Sequence, residues 1–437
     1  MGVTLSDISG VKACPDCDLL YHESVLQSGQ KLRCSRCGTT LQVFFRDSLE
    51  KTFAMSLTGL LLFIPAMIMP IMTISVLGLQ GNGSVINSII IMFKTGFPFV
   101  GTMALLASIF FPLIKLVLLF WISLSLKLQR YSANLPLIFR TYKHLSEWGM
   151  VEVYMLGILV SIIKMHSMGA LDFNLGFFCF SALFLITVSS SAIVDEDLFW
   201  KLIENKGLEK RNINPSNTFE TFSVTARESG LVRCHDCGKV VRQVQTKVDE
   251  IARCPRCRAE LHSRKPESVS STWALVICAF ILFLPANILP IMRVDFLGSP
   301  DNSTIMDGII YFFKDGDYLI GAIILIASIL VPLFKIVGIV IVLLSIHFNW
   351  SGWLKHKAKM FRFVEFVGRW SFLDIFVIAF LASMVQFGFL STIGANPAAR
   401  YFTAVVIVTM FAAISFDPRI LWDSCKSKSE KRENKHV

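Results

Sequence analysis

The strongest constraint on the fold is an internal duplication. Cys14, Cys17, Cys34 and Cys37 recur 220 positions later as Cys234, Cys237, Cys254 and Cys257. The apolar stretch 62–72 returns as 282–292, and from Trp148, which matches Trp370, the shift becomes 222 positions. A repeat of this length indicates one ancestral unit, a four-cysteine module followed by membrane helices, that was duplicated in tandem.

Composition places the chain among membrane proteins. Apolar residues make up 54% of the 437 residues and charged residues only 17%, a balance that fits several membrane spans and not a soluble protein. About 50 mostly polar residues precede the first apolar run. We therefore expect no cleaved signal peptide, and a first helix that remains as a permanent anchor.

Runs of about 20 apolar residues predict four bilayer-crossing helices in each half. The predicted spans are 54–74, 100–126, 145–165 and 173–194 in the first half, and 273–292, 319–346, 367–389 and 398–416 in the second. Between the first two spans of each half, a Gly-rich turn leads to a short apolar stretch that ends in Phe-Lys-x-Gly, at 93–96 and 313–316. We interpret each short stretch as a small re-entrant or interfacial helix.

Positive charge is concentrated on one side of the predicted spans. The loop after the second span, its counterpart and the tail carry Lys127, Arg130, Arg140, Lys143, Lys355, Lys357, Lys359, Arg362, Arg369, Arg419, Lys426, Lys428, Lys431, Arg432 and Lys435. The opposite loops carry Lys94, Arg293, Lys314 and Arg400. The positive-inside rule predicts that both termini and both cysteine modules are cytoplasmic. Because each repeat has an even number of spans, the two halves share one orientation and the repeat is parallel.

The cysteine modules carry the most specific chemical pattern. Both read Cys-x2-Cys-x16-Cys-x2-Cys, and two thiolates on each of two tight knuckles can close a tetrahedral site for zinc or, less often, iron. Pro15, Gly38, Gly238 and Pro255 mark the knuckles, and the stretches 19–21 and 240–244 favour short strands. We interpret each module as a structural zinc ribbon, with one ion apiece, since four protein ligands leave no open position for catalysis. Redox dithiol chemistry fits paired knuckles less well, and we expect His235 to be a bystander.

These elements divide the chain into six predicted segments. They are a zinc ribbon at 1–50, a transmembrane domain at 51–200, a linker at 201–225, a second zinc ribbon at 226–268, a second transmembrane domain at 269–422 and a basic tail at 423–437. The predicted fold class is an α-helical integral membrane protein with two tandem four-helix bundles, each preceded by a small cytoplasmic β zinc ribbon.

Charged residues also occur deep inside the predicted membrane spans of the second half. Lys335 and Asp374 lie at similar depths from the cytoplasmic side on neighbouring helices, so they are expected within ion-pair reach. An ionisable residue at this depth is costly unless it is paired or hydrated, which makes it a functional candidate. Ser328, Ser371 and Thr409 complete the predicted network, and Pro332 is expected to free a carbonyl beside it.

The first half contains an edited copy of this network. Ser108, Lys115 and Thr187 are retained, whereas Ser371 is replaced by Gly149 and Asp374 by Glu152. Lys115 and Glu152 are again expected to pair. The alternative for both halves is that these polar groups only hold helices together, as polar contacts in membrane bundles do.

The arrangement of two four-cysteine modules and eight spans resembles the paraquat-inducible protein A family of bacterial inner-membrane proteins. The stretch 282–292 and the segment Ser-Phe-Asp-Pro-Arg at 415–419 carry the resemblance, which covers nearly the whole chain. It implies tetraspanin-like four-helix units in the inner membrane of a Gram-negative bacterium. It also implies a periplasmic MCE-domain partner with a single membrane anchor, whose stacked rings form a lipid tunnel, and a transport role for the second-half network.

The sequence thus predicts a component of a phospholipid transport system that loads or extracts lipid at the tunnel base. If transport is driven, the proton gradient is the available energy source, with Asp374 and Lys335 as the candidate relay. We expect no enzyme activity and no nucleotide, because no Gly-x4-Gly-Lys-Ser/Thr loop is present. The net charge of +10 is spread over membrane-flanking loops, which argues against nucleic-acid binding. Two alternatives are a stand-alone proton-coupled transporter of a small solute and a passive anchor for the partner.

Overall fold

Eight membrane-length helices dominate the computed structural model, which describes residues 10–23, 29–76, 79–166, 170–204, 221–242, 252–296, 299–316, 318–350, 352–385 and 391–423. Within these residues, the spans of the first half are Ser48–Ile68, Pro98–Lys127, Leu135–Ile163 and Leu175–Ile193. Those of the second half are Ser268–Ile288, Gly321–His347, Leu354–Met384 and Ala398–Ser415. Their length and apolar composition make the chain a multi-pass membrane protein.

Several spans are built from more than one helix. The first half comprises α1 (Ser48–Ile68), α2 (Val85–Lys94), α3 (Pro98–Leu105), α4 (Phe111–Lys127), α5 (Leu135–Ser146), α6 (Val151–His166), α7 (Leu175–Ile193) and α8 (Glu196–Glu204). The second comprises α9 (Ser268–Ile288), α10 (Ile305–Lys314), α11 (Tyr318–Ile324), α12 (Val331–His347), α13 (Leu354–Gly368), α14 (Leu373–Met384) and α15 (Ala398–Ser415). The two short apolar stretches are therefore helices, α2 and α10.

The first span of each half begins and ends earlier than predicted. The predicted ranges were 54–74 and 273–292, whereas α1 ends at Ile68 and α9 at Ile288. Pro70 and Pro290 follow two residues later, and proline disfavours helical backbone in the residue before it. The residues beyond each proline enter strands instead.

A small antiparallel sheet closes each half at the end of the spans opposite to the cysteine modules. In the first half, β5 (Met72–Val76) pairs with β6 (Leu79–Gly83) and with β7 (Ala170–Phe173). In the second half, β11 (Met292–Phe296) pairs with β12 (Ser299–Ser303) and β13 (Ser391–Ala395). The predicted Gly-rich turns are thus hairpins. We call this end the hairpin side and the opposite end the module side.

The second span of each half contains a π-helical segment directly before its proline. These segments are Leu106–Phe110 and Leu325–Leu330, followed by Pro112 and Pro332. Proline lacks an N–H and its ring crowds the carbonyl four residues earlier, so the backbone widens locally to i→i+5 bonding. In regular α-helix geometry these prolines leave the carbonyls of Ser108 and Ser328, four residues earlier, without an N–H donor.

The two halves meet along α6 and α14, which are counterparts in the repeat. The rings of Tyr154 and Phe376 lie 4.9 Å apart. A Cβ atom on Gly157 would lie 3.1 Å from the Phe376 Cβ, so the backbones approach closely because residue 157 has no side chain. Near the hairpin side, the Asn87 amide donates to the Ser383 hydroxyl across the same interface.

The cysteine modules are small β structures on the module side. β1 (Val11–Ala13) pairs with β2 (Leu19–His22), and β3 (Lys31–Arg33) with β4 (Thr40–Val43). In the second module β9 (Leu231–Arg233) pairs with β10 (Val240–Arg242). The strands predicted at 19–21 and from 240 are confirmed, although 243–244 lie outside the described residues. β8 (Thr221–Thr225), at the end of the predicted linker, adds to β2 of the first module.

Candidate functional site

Each cysteine module gathers its four thiols into one buried cluster. Within each set of four, all the Sγ atoms lie within 4.8 Å of one another. Sγ–Sγ distances of 3.5 Å join Cys14 to Cys37, and Cys234 to Cys257. A tetrahedral Zn–S₄ site with bonds of about 2.3 Å places its sulfurs about 3.8 Å apart. The donor set and spacing therefore fit one metal ion per module.

Tight turns place the thiols of each knuckle. The amide N–H of Asp18 donates to the Cys14 carbonyl, and that of Gly38 to the Cys34 carbonyl. Both donors have positive φ, 62° at Asp18 and 77° at Gly38. This left-handed turn is cheapest for glycine, which explains Gly38 and its counterpart Gly238. The sequence therefore shapes the sulfur cage locally.

Each module is docked on the membrane helices of the other half. The first-module cysteines share a buried cluster with Phe361, Phe416 and Trp422 of the second half. The second-module cysteines share one with Phe139 and Trp200 of the first half. The halves are thus exchanged at their modules, which sequence order alone does not reveal.

Two related ion pairs secure this exchange. Arg362 on α13 donates to the Asp16 carboxylate at 2.8 Å and to the Cys37 carbonyl at 3.1 Å. Its counterpart Arg140 on α5 lies 2.6 Å from the Asp236 carboxylate. Each aspartate sits inside a Cys-x-x-Cys knuckle and each arginine on the helix that leads into the third span. Sequence analysis read both arginines only as topology signals.

Arg419 joins both modules at the module side. It is 1% exposed, and its guanidinium donates to both Asp417 carboxylate oxygens, at 3.0 and 2.8 Å. It also lies 3.7 Å from the Asp18 carboxylate of the first module and contacts the His235 ring of the second. Burial raises the pKa of Asp417, but the Arg419 guanidinium outweighs it and holds that pKa at about 2. The 415–419 segment is therefore a buried ionic junction.

The predicted second-half network begins at a fully buried lysine. Lys335 is 0% exposed, and its Nζ donates to the Gly368 carbonyl at 3.3 Å and to the Ser371 hydroxyl at 3.5 Å. Gly368 ends α13, and Ser371 lies in the 3₁₀ turn before α14. Thr409 is also buried, and its hydroxyl donates to the Val406 carbonyl of its own helix. A break in the third span thus supplies the oxygen ligands of the lysine.

Ser328 and Asp374 line a cavity of about 70 Å³. The Ser328 hydroxyl is buried, and it has no hydrogen-bond partner among the described residues. Asp374 lies in the first turn of α14, where the helix dipole stabilises a carboxylate. The structure thus joins Lys335 with Ser371, and Ser328 with Asp374.

The first-half copy forms a polar cavity of about 160 Å³, lined by Lys115, Glu152 and Ser191. Lys115 Nζ donates to the Ser191 hydroxyl at 2.8 Å, and that hydroxyl donates to the Thr187 carbonyl at 2.8 Å. Ser108 donates to a carbonyl of its own helix at 2.6 Å. Lys115 and Glu152 therefore share one cavity.

Sequence analysis missed three residues that complete this cavity, Tyr142, Ser146 and Ser191. Their counterparts in the second half are Val364, Gly368 and Ala413. A signal was present, since the repeat retains the lysine but changes three polar positions around it. Comparing the copies at every buried lysine neighbour would have found them.

The family profile described as "Paraquat-inducible protein A" matches residues 49–204 and 269–426, one segment in each half. The chain belongs to this family. It is 32% identical to the intermembrane transport protein PqiA of Escherichia coli (strain K12), over 96% of this chain and 97% of that protein. It is 31% identical to lipophilic envelope-spanning tunnel protein A of the same strain, over 95% and 91%. No solved structure matches the chain significantly.

A third relative is a probable intermembrane transport protein of Haemophilus influenzae, 29% identical over 94% of this chain and 95% of that protein.

In the present chain, each segment that matches the family profile follows a four-cysteine cluster. Each segment also holds a buried lysine, Lys115 or Lys335, on its second span. Each also holds a carboxylate, Glu152 or Asp374, in the first turn of the second helix of its third span. The resemblance to the family, expected from the repeat, is confirmed.

Proposed function

We propose that this protein is the inner-membrane component of an intermembrane phospholipid transport system. It loads or extracts phospholipid at the base of a tunnel formed by a periplasmic MCE-domain protein with a single membrane anchor. Support comes from relatives that are named intermembrane transport and envelope-spanning tunnel proteins, which match over nearly the full chain. The observation that carries a working role, and not only a scaffold, is Lys335, fully buried within a span against Ser371.

The proposed architecture follows the duplication. Two parallel, tetraspanin-like four-helix units lie in the inner membrane of a Gram-negative bacterium, with both termini and both zinc ribbons cytoplasmic. Zinc is the proposed ion in each module, because soft four-thiolate sites of this size select it over harder metals. Bound zinc would hold the knuckles together, while the chain's own cysteines and turns set their geometry.

Transport in this proposal is coupled to protons through Ser328, Lys335, Ser371, Asp374 and Thr409. A lysine and an aspartate within a membrane span cost several kcal/mol unless paired or hydrated, so they persist where they serve transport. Protonation of Asp374 would remove its charge without moving the backbone. Lys335 would hold the broken third span through the Gly368 carbonyl while that charge changes.

Replacing Asp374 by asparagine tests the coupling directly. We expect the rate of lipid transfer between reconstituted membranes, measured with the co-purified partner, to fall about tenfold or more, because the carboxylate can no longer exchange a proton. Protein level and metal content should not change. Asp301→Asn, at an exposed site on the same half, is the matched control.

Three outcomes would contradict the proposal. Full transfer by the Asp374→Asn protein would remove the proton step. Normal transfer by all five network variants, provided the complex assembles, would favour a passive anchor. Solute flux from the purified chain in vesicles without any partner would favour a stand-alone transporter. Mass spectrometry of co-purified proteins and lipids identifies the partner and cargo.

A further inference from the structure

The cavity beside Lys115 and Glu152 and the cavity beside Asp374 reach opposite ends of the membrane helices. The first-half cavity has Glu196 in its wall, and this glutamate is 50% exposed on the module side. Lys143 pairs with Glu196 at 2.7 Å there. The route from Lys115 toward solvent therefore runs to the module side.

A larger cavity continues this route. It measures about 570 Å³, lies between the modules and the membrane helices, and shares Val194 and Glu196 with the first-half cavity. Its wall carries Asp16 and Lys12 of the first module and Arg233 of the second. A cavity with so many charged groups in its wall favours bound water. Because the two cavities share Val194 and Glu196, this water lies next to the first-half cavity.

The second-half cavity leads the other way. From Ser328 and Asp374 its wall extends to Ser303, Thr304 and Gly308. Ser303 ends β12, and the other two begin α10, so this cavity reaches the hairpin side. The buried Ser328 hydroxyl, unpartnered among the described residues, indicates that water completes its hydrogen bonding, since buried hydroxyls are seldom left unsatisfied.

Each route is sealed in the other copy. On the module side of the second half, the counterparts of the cavity-wall residues Tyr142 and Ser146 are Val364 and Gly368, and both are buried. On the hairpin side of the first half, Ser88 replaces Gly308 and is 0% exposed, with its hydroxyl bonded to a backbone carbonyl at 2.8 Å. Ala104, the counterpart of Ile324 in the cavity wall, is also 0% exposed.

An apolar seam separates the two routes. Glu152 and Asp374 occupy the same repeat position on α6 and α14, and beyond them the rings of Tyr154 and Phe376 pack against each other. A continuous water column would conduct protons across the membrane without doing work. Two cavities with a packed seam between them avoid that leak.

We propose that the first half holds a hydrated proton-access pocket at Lys115, Glu152 and Ser191, open to the module side, and that the second half holds a matching pocket at Ser328 and Asp374, open to the hairpin side. The ligand of each pocket is water carrying exchangeable protons. The duplication thus supplied two proton-access pockets, one open to each side of the membrane. The use of these protons in lipid transport rests on the proposed function, whereas access to the pockets does not.

Thiol accessibility from each face tests the proposal. Single cysteines are introduced at Ser146 and Gly308 and at their counterparts Gly368 and Ser88, with Cys179, Cys278 and Cys425 replaced by alanine. A Cβ on Gly308 would meet no heavy atom within 4 Å, so a cysteine fits there. The probe is the impermeant reagent 2-(trimethylammonium)ethyl methanethiosulfonate, applied to full-length protein in vesicles of both orientations.

Two exposed positions report which face is outward. They are Arg46→Cys, next to the first module, and Asp301→Cys, in the second-half hairpin. Ser146→Cys should react only from the face of Arg46→Cys, about tenfold or more faster than Gly368→Cys, because the reagent attacks hydrated thiolates. Gly308→Cys should react only from the face of Asp301→Cys, with the same advantage over Ser88→Cys.

Reaction of Ser146→Cys from the hairpin face, or reaction of the counterparts at equal rates, would overturn the proposal. Ser191→Cys is a second reporter in the first-half cavity, and metal content confirms folding of each variant. The two proposals fail separately. If Asp374→Asn supports full transport while the labelling pattern is as expected, proton coupling is wrong and the access pockets are supported. If the labelling pattern differs while Asp374→Asn abolishes transport, only the proposal of the access pockets is wrong.

Discussion

The two halves place the same buried lysine in different surroundings. Lys115 donates to the Ser191 hydroxyl in a polar cavity shared with Glu152. Lys335, with alanine at the position of Ser191, instead donates to a main-chain carbonyl and to Ser371. One scaffold therefore carries a lysine beside a polar cavity in one copy and an enclosed lysine in the other. Both copies bury a lysine, but different neighbouring groups stabilise it in each copy.

The same contrast recurs on the module side. Arg419 is fully buried and bridges both modules, whereas the equivalent first-half residue is Asp197, which pairs with Lys12 at 2.7 Å and is 29% exposed. The charge at this repeat position has thus been inverted. At this repeat position, therefore, the second copy supplies the residue that bridges the two modules.

Loss of one zinc ligand should have the largest effect, and the effect should cross between the halves. Cys17→Ser removes a metal site whose binding contributes on the order of 10 kcal/mol to folding of such a module. Because the first module sits on the second half, hydrogen exchange should speed up in α13 (Leu354–Gly368). Cys237→Ser should instead expose α5 (Leu135–Ser146). Metal analysis should fall from about two ions per chain to about one.

The matched control for these variants is Cys278→Ser, at an exposed cysteine outside both clusters. Faster exchange in the same half as the altered module, and not in the other half, would contradict the exchanged arrangement.

Arg419→Ala should follow in size. Removing it leaves the Asp417 carboxylate buried without its main partner, which costs about 3 to 5 kcal/mol of unfolding free energy. Asp197→Ala, at the equivalent position but partly exposed, should cost about 1 kcal/mol or less. Denaturant unfolding in detergent compares the two. Equal losses would show that the junction is not specific to the second copy.

A methyl group at Gly81 should destabilise the contact between the halves. A Cβ there would lie 2.2 Å from the Met384 backbone carbonyl oxygen at the end of α14. Overpacking of this kind costs about 1 to 3 kcal/mol. The counterpart Asp301 is exposed, so Asp301→Ala should leave the thermal midpoint unchanged. A stable Gly81→Ala protein would mean that the two halves separate easily there.

The exchanged ion pairs should give the smallest and most symmetric effects. Arg362→Ala and Arg140→Ala should each lower the free energy of unfolding by about 1 kcal/mol, because both ion pairs remain partly exposed and solvent screens them. Double-mutant cycles with Asp16→Ala and Asp236→Ala should return a similar coupling energy. A coupling energy near zero for both pairs would indicate that apolar contacts alone seat the modules.

Local patterns made the metal sites and spans predictable. The Cys-x-x-Cys spacing and Gly38 shape a sulfur cage within about twenty residues, and hydropathy located all eight helices because each must satisfy its own backbone in lipid. Boundaries were less certain, since Pro70 ended the first span for conformational reasons that hydropathy does not measure.

Long-range contacts were not predictable from one sequence. Arg362 meets Asp16 across almost the whole chain, and neither residue has a local pattern that indicates the other. The third strand of each hairpin sheet is likewise distant in sequence. The π segment at Leu325–Leu330 also changes the number of residues per turn before Lys335, which a hydropathy pattern does not record. The residue types at the candidate sites could therefore be read from the sequence, whereas the cavities that group them depend on the packed structure.

The exchanged modules impose an order on how the protein is made. The first module is synthesised before the membrane helices, yet the surface that receives it includes Phe416 and Trp422, which follow the eighth span. Until these residues are made, the apolar face that packs on them stays uncovered. The second module, in contrast, finds its seat already built. The segment after the eighth span thus completes the docking of the first module, and a chain truncated before Phe416 leaves that module without part of its binding surface.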